Sequence, residues 1–211
     1  MIRKILTNVS SCSVETAKND SIHSISKEFD IIISSEQWKN IMPVRRLYGR
    51  RFKYVLQNGW TDVIAEKAWQ QQKFNCTISF KKHDVHLSSS ARRYISIHGT
   101  CKECNALIFG KIMHRPCDDV DVKIHFTVFN VNEENHSYEK KRQLRGQRRK
   151  IVTNTSIEKK MDAISFRRQE VKRLKDFGDV EPSIIPNAAV LRKAKEQSLL
   201  ERHGLCMLIQ F

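Results

Sequence analysis

Between residues 75 and 130 the sequence repeats one kind of segment four times: "NCTISF", "RRYISIHGT", "NALIFGKI" and "DVKIHFTVFN". Each is rich in β-branched and aromatic residues, which suit a pleated, half-buried surface, and each shows apolar and polar positions in alternation. In the last one Val122, Ile124, Phe126 and Val128 fall on one face, and Lys123, His125 and Thr127 on the other, because successive strand side chains point to opposite sides. Short, turn-like connections predict antiparallel pairing. A sheet with one apolar face must bury it against another layer. The preceding "WTDVIAEKAWQQQ" offers that layer: Val63, Ile64, Ala68 and Trp69 recur at helical spacing, and Thr61 or Asp62 is placed to cap the helix.

On either side the pattern changes. Residues 1–27 are polar and rich in Ser, with too little apolar surface to offset the entropy of ordering, and read as a flexible tail. "EFDIIISSEQWKNIMP" gives a buried-looking strand over 29–33 and a short turn or helix ended by Pro43. The basic "RRLYGRRFKY" follows; its interleaved Arg and Tyr suit base stacking, although the rings are equally plausible as core. Trp38, Trp60 and Trp69 read as core anchors. Beyond Asn130 the chain is basic and helical. Asp162 or Ser165 is a cap for "ISFRRQEVKRLKDF", with Gly178 at its end, and Asn187 caps a last helix that runs to Gly204. The expected architecture is α+β: a small antiparallel four-stranded sheet with a zinc knuckle and a preceding helix, followed by a basic helical region. The corresponding boundaries are a tail at 1–27, a zinc-binding β-rich domain at 28–138 and the helical region at 139–211.

The knuckle is "CKEC", where Cys101 and Cys104 lie between the second and third of the four strands. Six cysteines in 211 residues, with no export signal and no apolar run long enough to span a membrane, point to an intracellular chain with reduced thiols. Metal binding is then the usual reason for a close pair, since a CxxC turn can present two thiolates at ~2.3 Å from one zinc ion. His136, just past the last strand, leads for a third place. His98 comes next, with His125, His114 and Cys117 as competitors. Buried thiols packing as small apolar groups are the bland alternative. A redox dithiol fits less well, because such pairs open a helix in a βαβ setting and here both flanks read as strand.

Charge supplies the second constraint. The formal net charge is +15, and residues 136–211 carry 18 basic against 9 acidic side chains. A concentrated excess of this kind favours a polyanionic partner, nucleic acid before membrane. The run "KKRQLRGQRRK" contains the seven cations Lys140, Lys141, Arg142, Arg145, Arg148, Arg149 and Lys150 and no acidic residue. They read as contacts to DNA phosphates or as a nuclear import signal, which places the chain in the nucleus; the bland alternative is a solvated helix face. No phosphate-cradling Gly-rich loop, HExxH or nucleophile elbow occurs, so catalysis is not expected.

The helix, the strands "CTISFKKHDVH", "YISIHGTCKEC" and "LIFGKI", the strand before His136 and then "KKRQLRGQRRK" come in an order that resembles the N-terminal zinc-finger region of insect Mutator-like transposase-derived proteins. That group is related to the FLYWCH and WRKY-GCM zinc-binding sheets. The stretch "SFRRQEVKRLKDFGDVEPSIIPNAAVLRKAKEQ" is similar to the segment that follows this region, where an "FGDxEPP" turn precedes an "LRKAK" helix. The resemblance runs from about Phe29 to Gln197 and implies a zinc-dependent DNA-binding module of transposon origin. Two departures stand out. Such sheets finish with His-x-His, whereas here Tyr138 follows His136, and "EPS" replaces "EPP". The relatives continue toward a catalytic domain; this chain stops at "LLERHGLCMLIQF", so a binding region without DDE-type catalysis is expected.

Overall fold

A computed structural model describes residues 25–88, 90–131 and 141–202, with side chains from residue 27 onward. Most of the expected tail, together with His136 and Lys140, therefore lies outside the described residues. In chain order the elements are β1 (Ile25–Ile33), α1 (Ser35–Ile41), β2 (Pro43–Tyr48), β3 (Arg51–Leu56), α2 (Trp60–Gln72), β4 (Ile78–Val85), β5 (Ile95–Cys101), β6 (Leu107–Ile112), β7 (Val122–Phe129), α3 (Gly146–Glu158), α4 (Ala163–Leu174) and α5 (Ala188–Arg202).

The α+β class holds, but the small four-stranded sheet does not. The sheet has five antiparallel strands in the order β1-β7-β6-β5-β4, and β2 and β3 form a separate two-stranded sheet. The fifth strand is the Phe29–Ile33 segment extended back to Ile25. It adds to the free edge of β7, with Phe29 opposite Phe126 and Ile31 opposite Ile124. This pairing spans about ninety residues of chain, a distance over which local periodicity carries no information. The second sheet was hidden for a different reason: its cations and rings occupy both faces, so no period-two pattern marks it as strand.

Alternation does set the two faces. Phe29, Ile31, Ile33, Ile95, Ile97, Ile108, Ile112, Val122, Ile124, Phe126 and Val128 form the buried layer. On the outer face Asp30 accepts from Lys123 at 2.7 Å and pairs with His125 Nδ1 at 2.8 Å. Gly110 is required where it stands, since a Cβ there would lie 2.6 Å from Cε1 of Phe126, whose ring is 1% exposed.

Helix α2 lies on the buried face and has apolar residues on two sides. Trp60, Ile64 and Ala68 join the sheet core, whereas Ala65 and Trp69 pack with Leu174, Ile184 and Ile185 from the C-terminal region. The indole of Trp69 donates to the carbonyl of Leu174 at 2.6 Å. All three tryptophans are buried, as expected. The cap of α2 is Gly59, with φ of 95°, in place of Thr61 or Asp62. Asp162 does cap α4, accepting from the amides of Ile164 and Ser165. That helix stops at Leu174, ahead of Gly178. A smaller core joins Leu144, just before α3, to Ala163 and Phe166 of α4 and Leu191 and Ala194 of α5, with Val152 of α3 packed against it.

Candidate metal centre

The knuckle is built by the end of β5 and the tight turn into β6. The Cys101 amide donates to the Ala106 carbonyl at 2.9 Å, and Asn105 adopts a positive φ of 58°, a conformation that asparagine tolerates better than most residues. The turn folds Cys104 back toward Cys101. A third sulfur arrives from β4. In the β4–β5 pairing Ile78 lies opposite Cys101, and the Lys102 amide donates to the Thr77 carbonyl at 3.1 Å. Cys76, two residues before Ile78, is thereby brought to the same corner. The sulfurs of Cys76, Cys101 and Cys104 all lie within 4.8 Å of one another.

Residues far along the chain fix this corner. The Ser183 amide donates to Asn75 Oδ1 at 2.7 Å, the Asn75 side-chain amide donates to the Glu181 carbonyl at 3.3 Å, and the Ser183 hydroxyl donates to the Cys76 carbonyl at 3.4 Å. The "EPS" loop thus holds the residue that carries the third thiol.

Electrostatics inside the cluster are asymmetric. The hydrogen bond from the Cys76 thiol, aided by the amides of Glu103 and Cys104, holds Cys101 below the ordinary thiol range. The same bond, together with burial, pushes Cys76 far above it. Three sulfurs gathered in one corner, two of them buried, are soft donors suited to a thiophilic cation. A tetrahedral zinc ion with bonds of about 2.3 Å needs sulfurs about 3.8 Å apart, which the 4.8 Å limit on their spacing accommodates. The residues therefore fit a structural metal.

The structure brings Cys101 and Cys104 together, as their spacing implied, and adds Cys76, which sequence reasoning passed over. It does not bring in His98. That side chain alternates to the outer face of β5, where its ring meets Phe109 edge-on at 5.1 Å. His125 is on the same outer face, paired with Asp30, and Cys117 is exposed outside the cluster. His136 lies outside the described residues.

The basic segment is largely engaged in holding the fold. Arg142 donates to the Thr61 carbonyl and pairs with Asp62 at 3.0 Å. Burial raises the Asp62 pKa despite this partner and lowers that of Arg142. Desolvation thus outweighs attraction in the pair, so it fixes α2 against residue 142 more than it stabilises the fold. Lys141 pairs with Glu181 at 3.0 Å, Arg148 donates to the Ile184 carbonyl, and Arg149 reaches Gln197. Arg145 and Lys150 face solvent.

No known family profile matches this chain, and no solved structure matches it. One curated relative is the "120.7 kDa protein in NOF-FB transposable element" of Drosophila melanogaster. It is 28% identical over 178 residues, which are 84% of this chain and 16% of the relative. The chain therefore spans about a sixth of that protein's length. This likeness fits a transposon-derived origin. Among the described residues no helix is long and apolar enough to cross a membrane.

Proposed function

We propose that this chain is a zinc-stabilised, non-catalytic DNA-binding module of transposon origin that acts in the nucleus. The observation that carries the reading is the convergence of Cys76, Cys101 and Cys104 where β4, β5 and the knuckle turn meet. The fourth ligand proposed is His136, which lies outside the described residues. Val131, two residues beyond the end of β7, lines the same cleft as Cys76. Three thiolates and one imidazole fill a tetrahedral shell and leave no open position for an activated water, the mark of a structural rather than a catalytic site. A zinc ion held there ties the start of β4 to the β5–β6 turn and, through Asn75 and Ser183, to the helical region. The net charge of +15 then provides the attraction to phosphate, with Arg145 and Lys150 the solvent-facing members of the basic run among the described residues.

Duplex binding by the zinc-loaded chain, measured at 50 and 200 mM salt with and without a strong chelator, tests this. If the protein neutralises six to ten phosphates, affinity falls by about 10³ to 10⁵ across that range, and chelation abolishes it. A chain that binds no duplex at 50 mM, or binds equally well without metal, contradicts the proposal.

A further inference from the structure

With most of the 140–150 run engaged internally, the freest cationic element in the described structure is the β2–β3 hairpin. Residues 43–56 contain Arg45, Arg46, Arg50, Arg51 and Lys53 and no acidic residue. None of the five forms an ion pair with a described residue, and all are exposed. Large apolar side chains are exposed with them: Leu47 is 62%, Phe52 57% and Tyr48 53% accessible. A hairpin that exposes rings and cations on both faces gains little from folding onto its own protein.

Its base, however, is firmly seated. Leu56 is 4% exposed, its amide donates to Nε2 of His83 at 3.0 Å, and the next amide, of Gln57, donates to the Ile41 carbonyl. The register then fixes what each face presents. Arg46 opposes Lys53 and Tyr48 opposes Arg51 on one face; Arg45 opposes Tyr54 and Leu47 opposes Phe52 on the other. The Arg45 guanidinium sits 3.9 Å over the Phe52 ring, which holds the second face in shape. The two-residue tip begins at Gly49, whose φ of 59° is the positive value that such tight hairpin loops favour. This is a preorganised ribbon with a rooted base and a solvated, cationic tip.

The geometry points to the β2–β3 ribbon as the element that enters the major groove of duplex DNA, presenting Arg46, Arg51 and Lys53 to phosphates and base edges. The inference rests on the DNA-binding reading above and gives that reading its contact surface. Strands ~4.8 Å apart, with side chains on both sides, fit a groove about 12 Å wide. Six residues per strand give a reach of about 20 Å, more than the groove's depth of about 8.5 Å. Arginine at the tip suits guanine, whose major-groove edge offers two acceptors to one planar fork. A cleft of about 360 Å³ at the root extends the surface. It is lined by Pro43 and Tyr54 of the hairpin and by Arg93, His114 and Arg115, and has no acidic lining, so it takes a backbone phosphate flanking the groove. Duplex RNA is excluded from this mode, because its major groove is too deep and narrow for a ribbon to read.

The test uses the full zinc-loaded chain and a 25-base-pair duplex, with affinity followed by fluorescence anisotropy from 50 to 300 mM salt. The variant R46Q/R51Q/K53Q removes three charges from the ribbon. The control K159Q/K160Q/K193Q removes three exposed charges elsewhere. Zinc content and melting temperature confirm that both remain folded. The ribbon variant is expected to lose at least about tenfold in affinity and to flatten the log–log salt slope by about 0.9 for each phosphate contact removed; the control changes both far less. If the ribbon variant binds as the parent does, if the control loses as much, or if a duplex RNA of the same sequence binds as tightly, the ribbon is not the groove-reading element. A parent chain that binds no duplex at 50 mM overturns the DNA-binding reading itself and this inference with it.

Discussion

Replacing Cys76 by serine separates the three-sulfur site from a simple CxxC knuckle. The change is nearly isosteric, and although the residue is only 7% exposed, it opens no sizeable cavity. What it removes is one of three soft donors. Structural zinc is worth about 10–16 kcal/mol in small zinc domains. Divided over four ligands, that is roughly 2.5–4 kcal/mol each, or about a 60- to 700-fold loss of affinity at 1.4 kcal/mol per decade. Competition against a chromophoric chelator at pH 7.5 measures it, with Cys117→Ser as the control because Cys117 is exposed and outside the cluster. The control should hold zinc as the parent does. If Cys76→Ser keeps its zinc within threefold of the parent, or if Cys117→Ser loses it, the assignment of the third ligand is wrong.

Three further outcomes follow from the packing. Gly110→Ala forces a methyl group against the buried Phe126 ring and should cost about 1–3 kcal/mol as overpacking, read as a lower midpoint in urea with an unchanged slope. Arg142→Gln leaves Asp62 short of its buried partner and should cost about 3 kcal/mol while leaving the salt slope of DNA binding unaltered; the reverse result would make Arg142 a phosphate contact. His83 accepts the Leu56 amide through Nε2, and burial lowers its pKa. The unfolded chain therefore takes up this proton first, so stability is present above about pH 6.5 and is lost as pH falls toward the folded-state value. Relative to His83→Gln, which accepts the same bond without titrating, the parent should lose stability between pH 7 and 5, and a constant difference would refute the assignment.

Much of the sheet was legible because its strands bury one face. Val122, Ile124, Phe126 and Val128 alternate so cleanly that their side of the sheet could be assigned from the sequence. The edge strand was legible as a strand but not as a partner of β7, since pairing between Ile31 and Ile124 is a tertiary fact. The metal site was half legible. Spacing alone exposes the Cys101–Cys104 pair, whereas Cys76 stands 25 residues before Cys101 with no other cysteine near it in the sequence. A signal for it did exist. In an antiparallel pair the start of one strand faces the end of the next, so a cysteine just before β4 must lie near a cysteine that ends β5. The fate of the basic segment was illegible, because its neutralising partners Asp62 and Glu181 lie about 80 and 40 residues away. A charge run shows an excess locally and cannot show which of its members the fold consumes.

X-ray absorption at the zinc edge of the reduced, purified chain, with its metal content measured on the same sample, examines the site without any substitution. One zinc per chain, with three sulfur neighbours at about 2.3 Å and one nitrogen at about 2.0 Å, is the result expected for Cys76, Cys101, Cys104 and a histidine. A chain that carries no metal, or a shell with fewer than three sulfurs, contradicts the central claim.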